Sequence, residues 1–395
     1  MLAFAAVLAG AFVVYVLAGR KYWFYLDEWD FLSGRDGGDL GDLFRPHNEH
    51  WTTLPILAYR VLWNVFGLNS YRPYQFLLLG LHLTAAVLLR VIMRRSGVSP
   101  WIATAAATMF VLLGASGAQN IVWAFQITFV GALVCGLAHL LLADHDGKVD
   151  RRDGAGLAFG LAALLCSGVG ITMAAVVGFA VLIRRGPRAA ALHVLPLAVV
   201  FLTWWLAFAR SMYDASDASV GTVARFVRHG GANAFRSAGE LPGVGVALGV
   251  MLVVGLLIAW ARAPREGLRR RAAAPVAMLL GSIVFLCVTA LGRGATFGIE
   301  FAERTRYVHI VVALTTPALA VAADAIARRW RALTPVLIVL FLVGVPGHLR
   351  DLERDVPVSR RQFPVSGTSA RGIFLAVAGS PMLEAAPPQF QPFPG

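Results

Sequence analysis

Three acidic side chains lie within four residues directly after the first apolar run of the chain. In "YLDEWDF" these are Asp27, Glu28 and Asp30, and Asp27 and Asp30 share one face if the segment is helical. Closely spaced carboxylates raise each other's pKa, and the low dielectric at a membrane edge has the same effect. Such a group can accept a proton from a hydroxyl near neutral pH. We therefore interpret the cluster as a candidate general base; the alternative is a hydrated acidic loop or a helix cap.

A second group of polar and aromatic side chains follows in "RPHNEHW". It contains His47, Asn48, Glu49, His50 and Trp51. Two histidines and a carboxylate can bind a metal, but their spacing differs from that of an established motif such as H-E-x-x-H. A tryptophan face can stack on a sugar while polar groups bond its hydroxyls. The segment therefore favours binding of a polyhydroxylated ligand or bracing of the acidic loop, and metal binding stays open.

A third cluster of polar residues stands at the start of a later apolar run. In "QNIVWAFQ" it comprises Gln119, Asn120, Trp123 and Gln126. Amides at the start of a span are costly unless they line a cavity or pair internally. A binding role competes here with helix capping and an interfacial tryptophan belt.

The fourth cluster, in residues 292–309, is basic. Its members are Arg293, Arg304, Arg306 and Tyr307, and the last three directly precede or begin an apolar run. The planar fork of arginine binds two phosphate oxygens at once. At headgroup depth, Arg304 and Arg306 could hold a phosphate whose lipid tail stays in the bilayer. The alternative is that they reach out to ordinary lipid phosphate.

The composition requires a bilayer to position these clusters. Of 395 residues, 58% are hydrophobic and 14% are charged, and the mean hydropathy is +0.68. A water-soluble fold cannot hide this much apolar surface. The net charge of +13 arises mostly from arginines in short loops between apolar runs, which favours membrane topology over nucleic-acid binding. The three cysteines lie inside apolar runs and are interpreted as packing residues.

The apolar runs predict an all-α polytopic membrane protein with about eleven transmembrane helices. The candidate spans are 2–19, 72–93, 100–117, 121–143, 155–168, 170–183, 191–209, 243–261, 275–291, 307–326 and 333–347. The fifth and sixth are short and meet at "CSGVGITM", so they could instead form a helical hairpin with a break at Gly168 and Gly170. These spans define a module of residues 1–348, and residues 349–395 form a short tail that we expect to be partly extended, with a disordered end.

Basic residues in the short loops orient these spans. If all eleven cross, every basic cluster falls on one side, which we assign to the cytoplasm. The clusters are Arg94 and Arg95; Lys148, Arg151 and Arg152; Arg184, Arg185 and Arg188; Arg262, Arg265, Arg269, Arg270 and Arg271; and Arg328, Arg329 and Arg331. All four chemistry-bearing clusters then lie outside, in residues 20–70, 118–126 and 292–309. Residues 48–66 and 220–236 read as amphipathic helices on that outer surface.

In their serial order these segments resemble a GT-C fold glycosyltransferase of the family-39-like bacterial membrane type. The resemblance is carried by "DEWD", "HNEHW", "NIVWAFQ", "SGVGITM" and "ERTRY" and extends over most of residues 1–347. It implies a GT-C-like bundle in the bacterial cytoplasmic membrane with its active site on the extracytoplasmic side. Many relatives carry a soluble domain after the last span, whereas this chain has fewer than fifty residues there.

The resemblance also implies a mechanism. A sugar moves from a polyprenyl-phosphate donor to a glycan, lipid or protein acceptor with inversion of configuration. Asp27 matches the catalytic acid best, Glu28 is next, and Asp30 would support the site. Arg304 and Arg306 match the donor-phosphate position, with Arg293 as a weaker candidate. No cofactor is required, a divalent metal is optional, and mannose, arabinofuranose, glucose and galactose all remain open as the sugar.

Two other classes share many of these features. A transporter or flippase for a lipid-linked or polar solute would have the same spans, but transporters concentrate ionisable groups near the bilayer midplane. Here His82, Arg90 and His139 are the exceptions, without an obvious relay. A non-catalytic scaffold of an envelope-assembly complex is the third class.

Overall fold

The computed structural model describes residues 2–24, 26–35, 39–212, 218–262 and 265–355. Within these ranges the chain consists of α-helices and shorter helical turns without a β-strand, and a single bridge joins His47 to His50. Residues 349–355 are helical rather than extended. The remainder of the predicted tail, residues 356–395, lies outside the described residues.

Four helices form the first part of the chain. They are α1 (Leu2–Ala18), α2 (Glu28–Leu32), α3 (Leu40–Phe44) and α4 (Thr53–Phe66). The helix predicted over 48–66 is confirmed from Thr53 onward. Its inner face packs Ile56 and Tyr59 into the protein, while Val61 and Val65 are exposed, as expected of a helix lying at an interface.

Fourteen further helices follow in the described residues. They are α5 (Arg72–Arg95), α6 (Pro100–Val111), α7 (Ala118–Val122), α8 (Ile127–Ala143), α9 (Arg151–Leu164), α10 (Val169–Arg185), α11 (Pro187–Trp204), α12 (Val220–Gly239), α13 (Val244–Arg262), α14 (Arg265–Thr289), α15 (Ala295–Phe297), α16 (Thr305–Arg329), α17 (Thr334–Leu342) and α18 (Val345–Asp355). The helix predicted over 220–236 corresponds to α12.

Seven helical segments of the described chain are long and apolar enough to cross a membrane. They are Arg72–Arg95, Ala124–Ala143, Pro187–Ala209, Val244–Arg262, Arg269–Gly294, Thr305–Arg329 and Arg331–Leu352. An eighth is gained if α6 and the helical segment Gly114–Val122, which includes α7, count as one span, although the chain bends between them by 71°. The predicted count of eleven is therefore not confirmed. The remaining runs fall short because α1 and α10 have 17 residues each and α9 has 14.

Helix α16 is the centre of the bundle. It packs against α5, α6, α12, α13 and α14, and nearly every residue from Tyr307 to Ala327 is buried. Small side chains allow this close packing: Gly255 of α13 sits directly on the backbone of Ala322, where a β-carbon would collide with the carbonyl. The first residues of α16 are consequently held in place by the whole bundle.

One end of the bundle collects the basic loops. Their contacts join Arg95 to the carbonyl of Leu141 (2.7 Å), Arg184 to Asp144 (2.9 Å), Arg270 to Asp146 (3.4 Å) and Arg328 to the carbonyl of Gly97 (2.6 Å). These four contacts link the segments around residues 95, 145, 184, 270 and 328. The grouping of basic clusters on one side, predicted from their order along the chain, agrees with these contacts.

The opposite end collects the segments that carry the candidate site. Glu49 pairs with Arg293, and the backbone N–H of Gln119 donates to Thr305 Oγ1 (3.3 Å). Asn120 Nδ2 donates to the carbonyl of Arg306 (3.0 Å), and Trp204 Nε1 donates to the carbonyl of Phe44 (2.8 Å). The first loop, the α7 region and the 293–306 loop therefore meet at one end of the molecule.

Candidate functional site at the acidic end

Asp27 and Asp30 both face His47. Asp27 comes directly before α2 and Asp30 lies within it, so the two carboxylates share one side of the helix, as predicted. Asp30 Oδ2 is 2.7 Å from His47 Nδ1, and Asp27 Oδ1 is 3.8 Å from His47 Nε2. One imidazole therefore lies between two carboxylates.

The charges around Asp30 make it a weak base. Arg35 donates two hydrogen bonds to Asp30 Oδ2, at 2.9 and 3.1 Å. Burial raises the pKa of Asp30, but the hydrogen bonds from His47 and Arg35 outweigh burial and lower this pKa to about 2. The expected upward shift is thus wrong for Asp30, because its nearest charged neighbours are positive.

Arg35 organises the loop that follows α2. Its side chain is almost completely buried, and besides Asp30 it binds three backbone carbonyls, those of Asp42 (2.7 Å), Arg45 (2.5 Å) and Pro46 (3.2 Å). A buried guanidinium is tolerated only when its donors are satisfied in this way. Arg35 and Asp30 together fix the path of residues 42–46 and hence the position of His47.

The two aspartates stabilise the protonated form of His47. Burial lowers the pKa of His47, but the nearby Asp27 carboxylate and the hydrogen bond with Asp30 outweigh burial and raise it. The Asp27 side chain is 39% exposed, so solvent and a ligand can reach it. Among the three acids, Asp27 is the most exposed.

Glu28 has a different environment from its neighbours. It is completely buried, and its Oε1 accepts hydrogen bonds from the hydroxyls of Tyr59 (2.5 Å) and Tyr71 (2.9 Å). The Tyr71 hydroxyl also accepts the backbone amide of Ala124 at 2.7 Å. Glu28 therefore ties the first loop to α4, α5 and the segment before α8. This burial removes it from contact with an acceptor and indicates a structural role instead of the predicted catalytic one.

A tight turn between His47 and His50 directs the next residues toward the 293–306 loop. The two residues exchange backbone hydrogen bonds of 3.0 Å, and Asn48 adopts a φ of 52° within the turn. This left-handed conformation is one that asparagine tolerates better than most residues. Glu49 then forms an ion pair with Arg293, 244 residues later. Asn48 itself is exposed.

His50 lies where the acidic and basic clusters meet. A β-carbon at Gly168, in the turn between α9 and α10, would be 3.1 Å from His50 Nδ1, so the imidazole lies directly against that turn. Burial and then the positive charges of Arg293, His47 and Arg306 lower the pKa of His50 to about 3. The imidazole of His50 is therefore neutral, and it lies near Arg293, Arg306 and His47.

Arg304 and Arg306 lie beside aromatic rings. Their guanidinium carbons lie 5.2 and 5.5 Å from the centre of the Phe301 ring, and Arg306 also lies 5.1 Å from the Tyr307 ring. Within the described residues neither forms an ion pair with a carboxylate, whereas Arg293 does. Arginines stacked on aromatic rings keep their donors available for an anion.

Trp51 supports the loop from inside. Only 5% of it is exposed, its ring stacks on Trp204 at 5.0 Å with the planes almost parallel, and its Nε1 donates to Thr53 Oγ1 at 2.8 Å. The predicted stacking of this ring on a sugar is wrong in this arrangement, because Trp204 and the neighbouring chain cover it.

The polar residues of the α7 region also point inward. Asn120 is completely buried and donates to the carbonyl of Arg306 and to His309 Nδ1 at 3.2 Å, so it positions the start of α16. Trp123 and Gln126 are buried as well. The side-chain oxygens of Gln119 and Gln126 have no hydrogen-bond partner in the described part. This pattern favours internal pairing for Asn120, and it leaves Gln119, which is partly exposed, as the amide nearest the surface.

The sequence interpretation missed three residues that position the site. Arg35, Tyr59 and Tyr71 hold Asp30 and Glu28, yet none was identified as a site residue. A basic residue five positions after Asp30 was the one available signal, since such a residue can pair with a nearby acid. The tyrosines stand 31 and 43 residues from Glu28 and gave no signal.

A possible metal-binding group occurs elsewhere, at the basic end of the bundle. His145, Asp150 and Asp153 place one ligand atom each within 4.8 Å of the others. Both carboxylates already have cationic partners: Arg152 lies 2.7 Å from Asp150, and Arg185 pairs with Asp153. We therefore assign no metal to this group, and it lies at the opposite end from the candidate site.

Comparisons with known proteins found no match, so the functional interpretation rests on the geometry of the site. No family model, no curated protein and no solved structure matches this chain.

Proposed function

We propose that the protein is a membrane glycosyltransferase that moves a sugar from a polyprenyl-phosphate donor to an extracytoplasmic acceptor with inversion. The observation that carries the proposal is the meeting of the first-loop acids and the late arginines at one end of the bundle. The ion pair between Glu49 and Arg293 joins residues that are 244 positions apart in the sequence. His50 lies close enough to Arg293, Arg306 and His47 for their charges to lower its pKa.

Asp27 is the general base in this proposal. Its ionised carboxylate accepts the proton of the acceptor hydroxyl, and the acceptor oxygen attacks the anomeric carbon of the donor sugar. The bond between that carbon and the phosphate oxygen breaks, and polyprenyl phosphate leaves with the electron pair. His47, itself held by Asp30, lies 3.8 Å from Asp27 Oδ1 and orients the reacting carboxylate.

Arg304 and Arg306 stabilise the leaving phosphate. The donor phosphodiester carries one negative charge, and a second develops on the leaving oxygen as the bond breaks. A cation placed at that oxygen therefore stabilises the transition state more than the ground state. Both side chains directly precede or begin α16, and no carboxylate in the described chain competes for them. Arg293 is better placed to join the two loops, because Glu49 already neutralises it. Since arginine can neutralise the phosphate, a divalent metal is optional.

The proposal includes eleven membrane passes, with the basic end in the cytoplasm of a bacterium. Helices α9 and α10 support this count: Arg151 and Arg185 lie at the basic end, whereas Gly168 between the helices contacts His50 at the other end. At 1.5 Å per residue they are about 21 and 26 Å long, somewhat less than the roughly 30 Å hydrocarbon core. A locally thinned bilayer accommodates such spans.

A transporter or flippase is the second candidate, and buried histidine pairs favour it. His82 lies 3.0 Å from His309, and His139 lies 3.0 Å from His193, which in turn lies 2.9 Å from Asp153. Ionisable groups inside membrane helices often mark ion or proton pathways. Sequence alone offered no relay for His82 and His139, whereas the structure gives each a partner.

The deciding experiment compares Asp27→Asn with Asp39→Asn in proteoliposomes supplied with labelled polyprenyl-phosphate sugars and a mixture of acceptors. Asp39 is an exposed acid of the same loop that caps α3, and asparagine caps helices equally well. We expect Asp27→Asn to reduce sugar transfer by about 100-fold or more and Asp39→Asn to leave it unchanged.

Equal transfer by the two variants would contradict the role of Asp27. Movement of labelled donor across the membrane by both variants, without formation of a new glycosidic bond, would favour the transporter. Arg306→Gln provides a second reading, since loss of a phosphate contact should raise the KM for donor by about tenfold. An unchanged KM in that variant would remove Arg306 from the donor site.

A further inference from the structure

A groove at the basic end of the bundle has no part in the proposed reaction. It lies between the start of α1, the last turns of α5 and the start of α6, and it has a volume of about 480 Å³. Its lining includes Leu2, Phe4, Arg90, Pro100, Trp101 and Thr104. Leu2 is 88% exposed and Trp101 is 69% exposed, so the groove opens on the perimeter of the helix bundle. An apolar groove in this position faces lipid.

Among the described residues that line this groove, Arg90 is the one that is charged. Its Nε donates to Thr104 Oγ1 at 3.0 Å, and its guanidinium carbon lies 5.3 Å from the centre of the Phe4 ring. These two contacts hold the guanidinium group at the groove. The described lining contains no acidic residue, so these side chains give the groove a basic group and apolar walls.

The depth of Arg90 matches the boundary between headgroups and acyl chains. It lies five residues before Arg95, the last residue of α5, which corresponds to about 7.5 Å along the helix axis. Trp101, near the start of α6, is a residue type that prefers the same interfacial depth. A phosphate at this depth would meet the guanidinium while its acyl chains contact Phe4 and Trp101.

We infer that this groove binds one anionic glycerophospholipid of the leaflet at the basic end, with the lipid phosphate on Arg90. Charge complementarity and the apolar walls together select this occupant over a free anion, which would gain nothing from Leu2, Phe4 or Trp101. The inference requires membrane embedding of the bundle but is independent of the proposed sugar transfer. In the proposed orientation, the lipid belongs to the cytoplasmic leaflet.

The test measures binding of phosphatidylglycerol and of phosphatidylcholine to the purified full chain in neutral detergent by native mass spectrometry. Arg90→Gln is compared with Arg329→Gln, a matched control at the same end whose guanidinium carbon lies 5.2 Å from the centre of the Trp330 ring, outside the groove. We expect Arg90→Gln to weaken phosphatidylglycerol binding about fivefold, the factor equivalent to about 1 kcal/mol per basic residue, and Arg329→Gln to change it by less than about twofold.

Trp101→Ala is the second variant, and its exposed side chain can be removed without disturbing the packed bundle. It should weaken binding of both lipids, because their acyl chains lose a contact. Equal losses in Arg90→Gln and Arg329→Gln would overturn the site in favour of diffuse attraction to the basic end. Unchanged lipid binding in both Arg90→Gln and Trp101→Ala would overturn it as well. Displacement of phosphatidylglycerol by millimolar inorganic phosphate would assign the groove to a free anion instead.

Discussion

Replacement of Asp30 by asparagine should loosen the loop that presents His47, whereas the same change at Asp27 should not. Asp30 holds two groups at once, since its Oδ2 accepts from both Arg35 and His47. Asparagine keeps the shape of the Asp30 side chain but removes the negative charge that pairs with the buried guanidinium of Arg35. Asp27 has only the longer 3.8 Å contact with His47. The structure therefore separates the two aspartates: Asp30 braces the loop, and Asp27 has the proposed role of general base.

The size of the Asp30 effect follows from its lowered pKa. A pKa of about 2 in place of the ordinary 3.8 corresponds to about 2 kcal/mol at neutral pH. Because the Asp30 side chain is 31% exposed, solvent screening reduces the expected loss to about 1–2 kcal/mol. A change of that size in local opening speeds amide exchange by about 5- to 30-fold.

Hydrogen exchange read by mass spectrometry is the assay suited to this question, because a polytopic membrane protein seldom unfolds in two states. The peptides to follow cover residues 39–50. In this segment the N–H groups of His47 and His50 each donate to the other residue's carbonyl at 3.0 Å. We expect faster exchange there in Asp30→Asn and native exchange in Asp27→Asn. Native protection in Asp30→Asn would refute the clamp formed by Arg35, Asp30 and His47.

Three further perturbations test neighbouring parts of the account. Because the pKa of His47 is raised above 6.5, the stabilisation by its charged form is complete below pH 6.5 and is lost as pH rises through the raised value; exchange in residues 39–50 should lose protection over that range, and His47→Gln should abolish the dependence. Glu28→Leu, which leaves two buried tyrosine hydroxyls without their acceptor, should reduce the yield of folded protein and its thermal stability, by about 2–4 kcal/mol locally, and a native yield would contradict its structural role. Gly168→Ala should disturb His50 and lower sugar transfer while Gly154→Ala, with open space around it, should not; equal activities would show that the contact is unimportant.

Sequence reasoning predicted the parts of the fold that depend on local pattern. Apolar length and periodicity indicated the helices, including the interfacial helix at Thr53–Phe66, and the order of basic loops agrees with the contacts at one end of the bundle. Span number was harder to predict, because α9, α10 and α1 are short and the α6 region bends by 71°. Hydropathy measures how apolar a run is, but bundle packing decides where a helix breaks.

The roles of individual site residues depended on distant partners that one sequence cannot reveal. In the sequence, nothing distinguishes the three carboxylates of "DEWD" from one another. In the structure, Tyr59 and Tyr71 cover Glu28, Arg35 neutralises Asp30, and Asp27 remains accessible. A tryptophan that suits a sugar is covered by another ring 153 positions later. Local spacing predicted which side chains cluster, but only the packing distinguishes a structural acid from a reactive one.

The most direct test of the account is a structure of the protein bound to a non-hydrolysable polyprenyl-phosphate sugar analogue in a lipid nanodisc. The account predicts the phosphate within hydrogen-bond distance of Arg304 or Arg306, the sugar toward Asp27, and the polyprenyl chain in the bilayer beside α16. A phosphate bound at the basic end, or a sugar separated from Asp27 by packed helices, would contradict sugar transfer at this site.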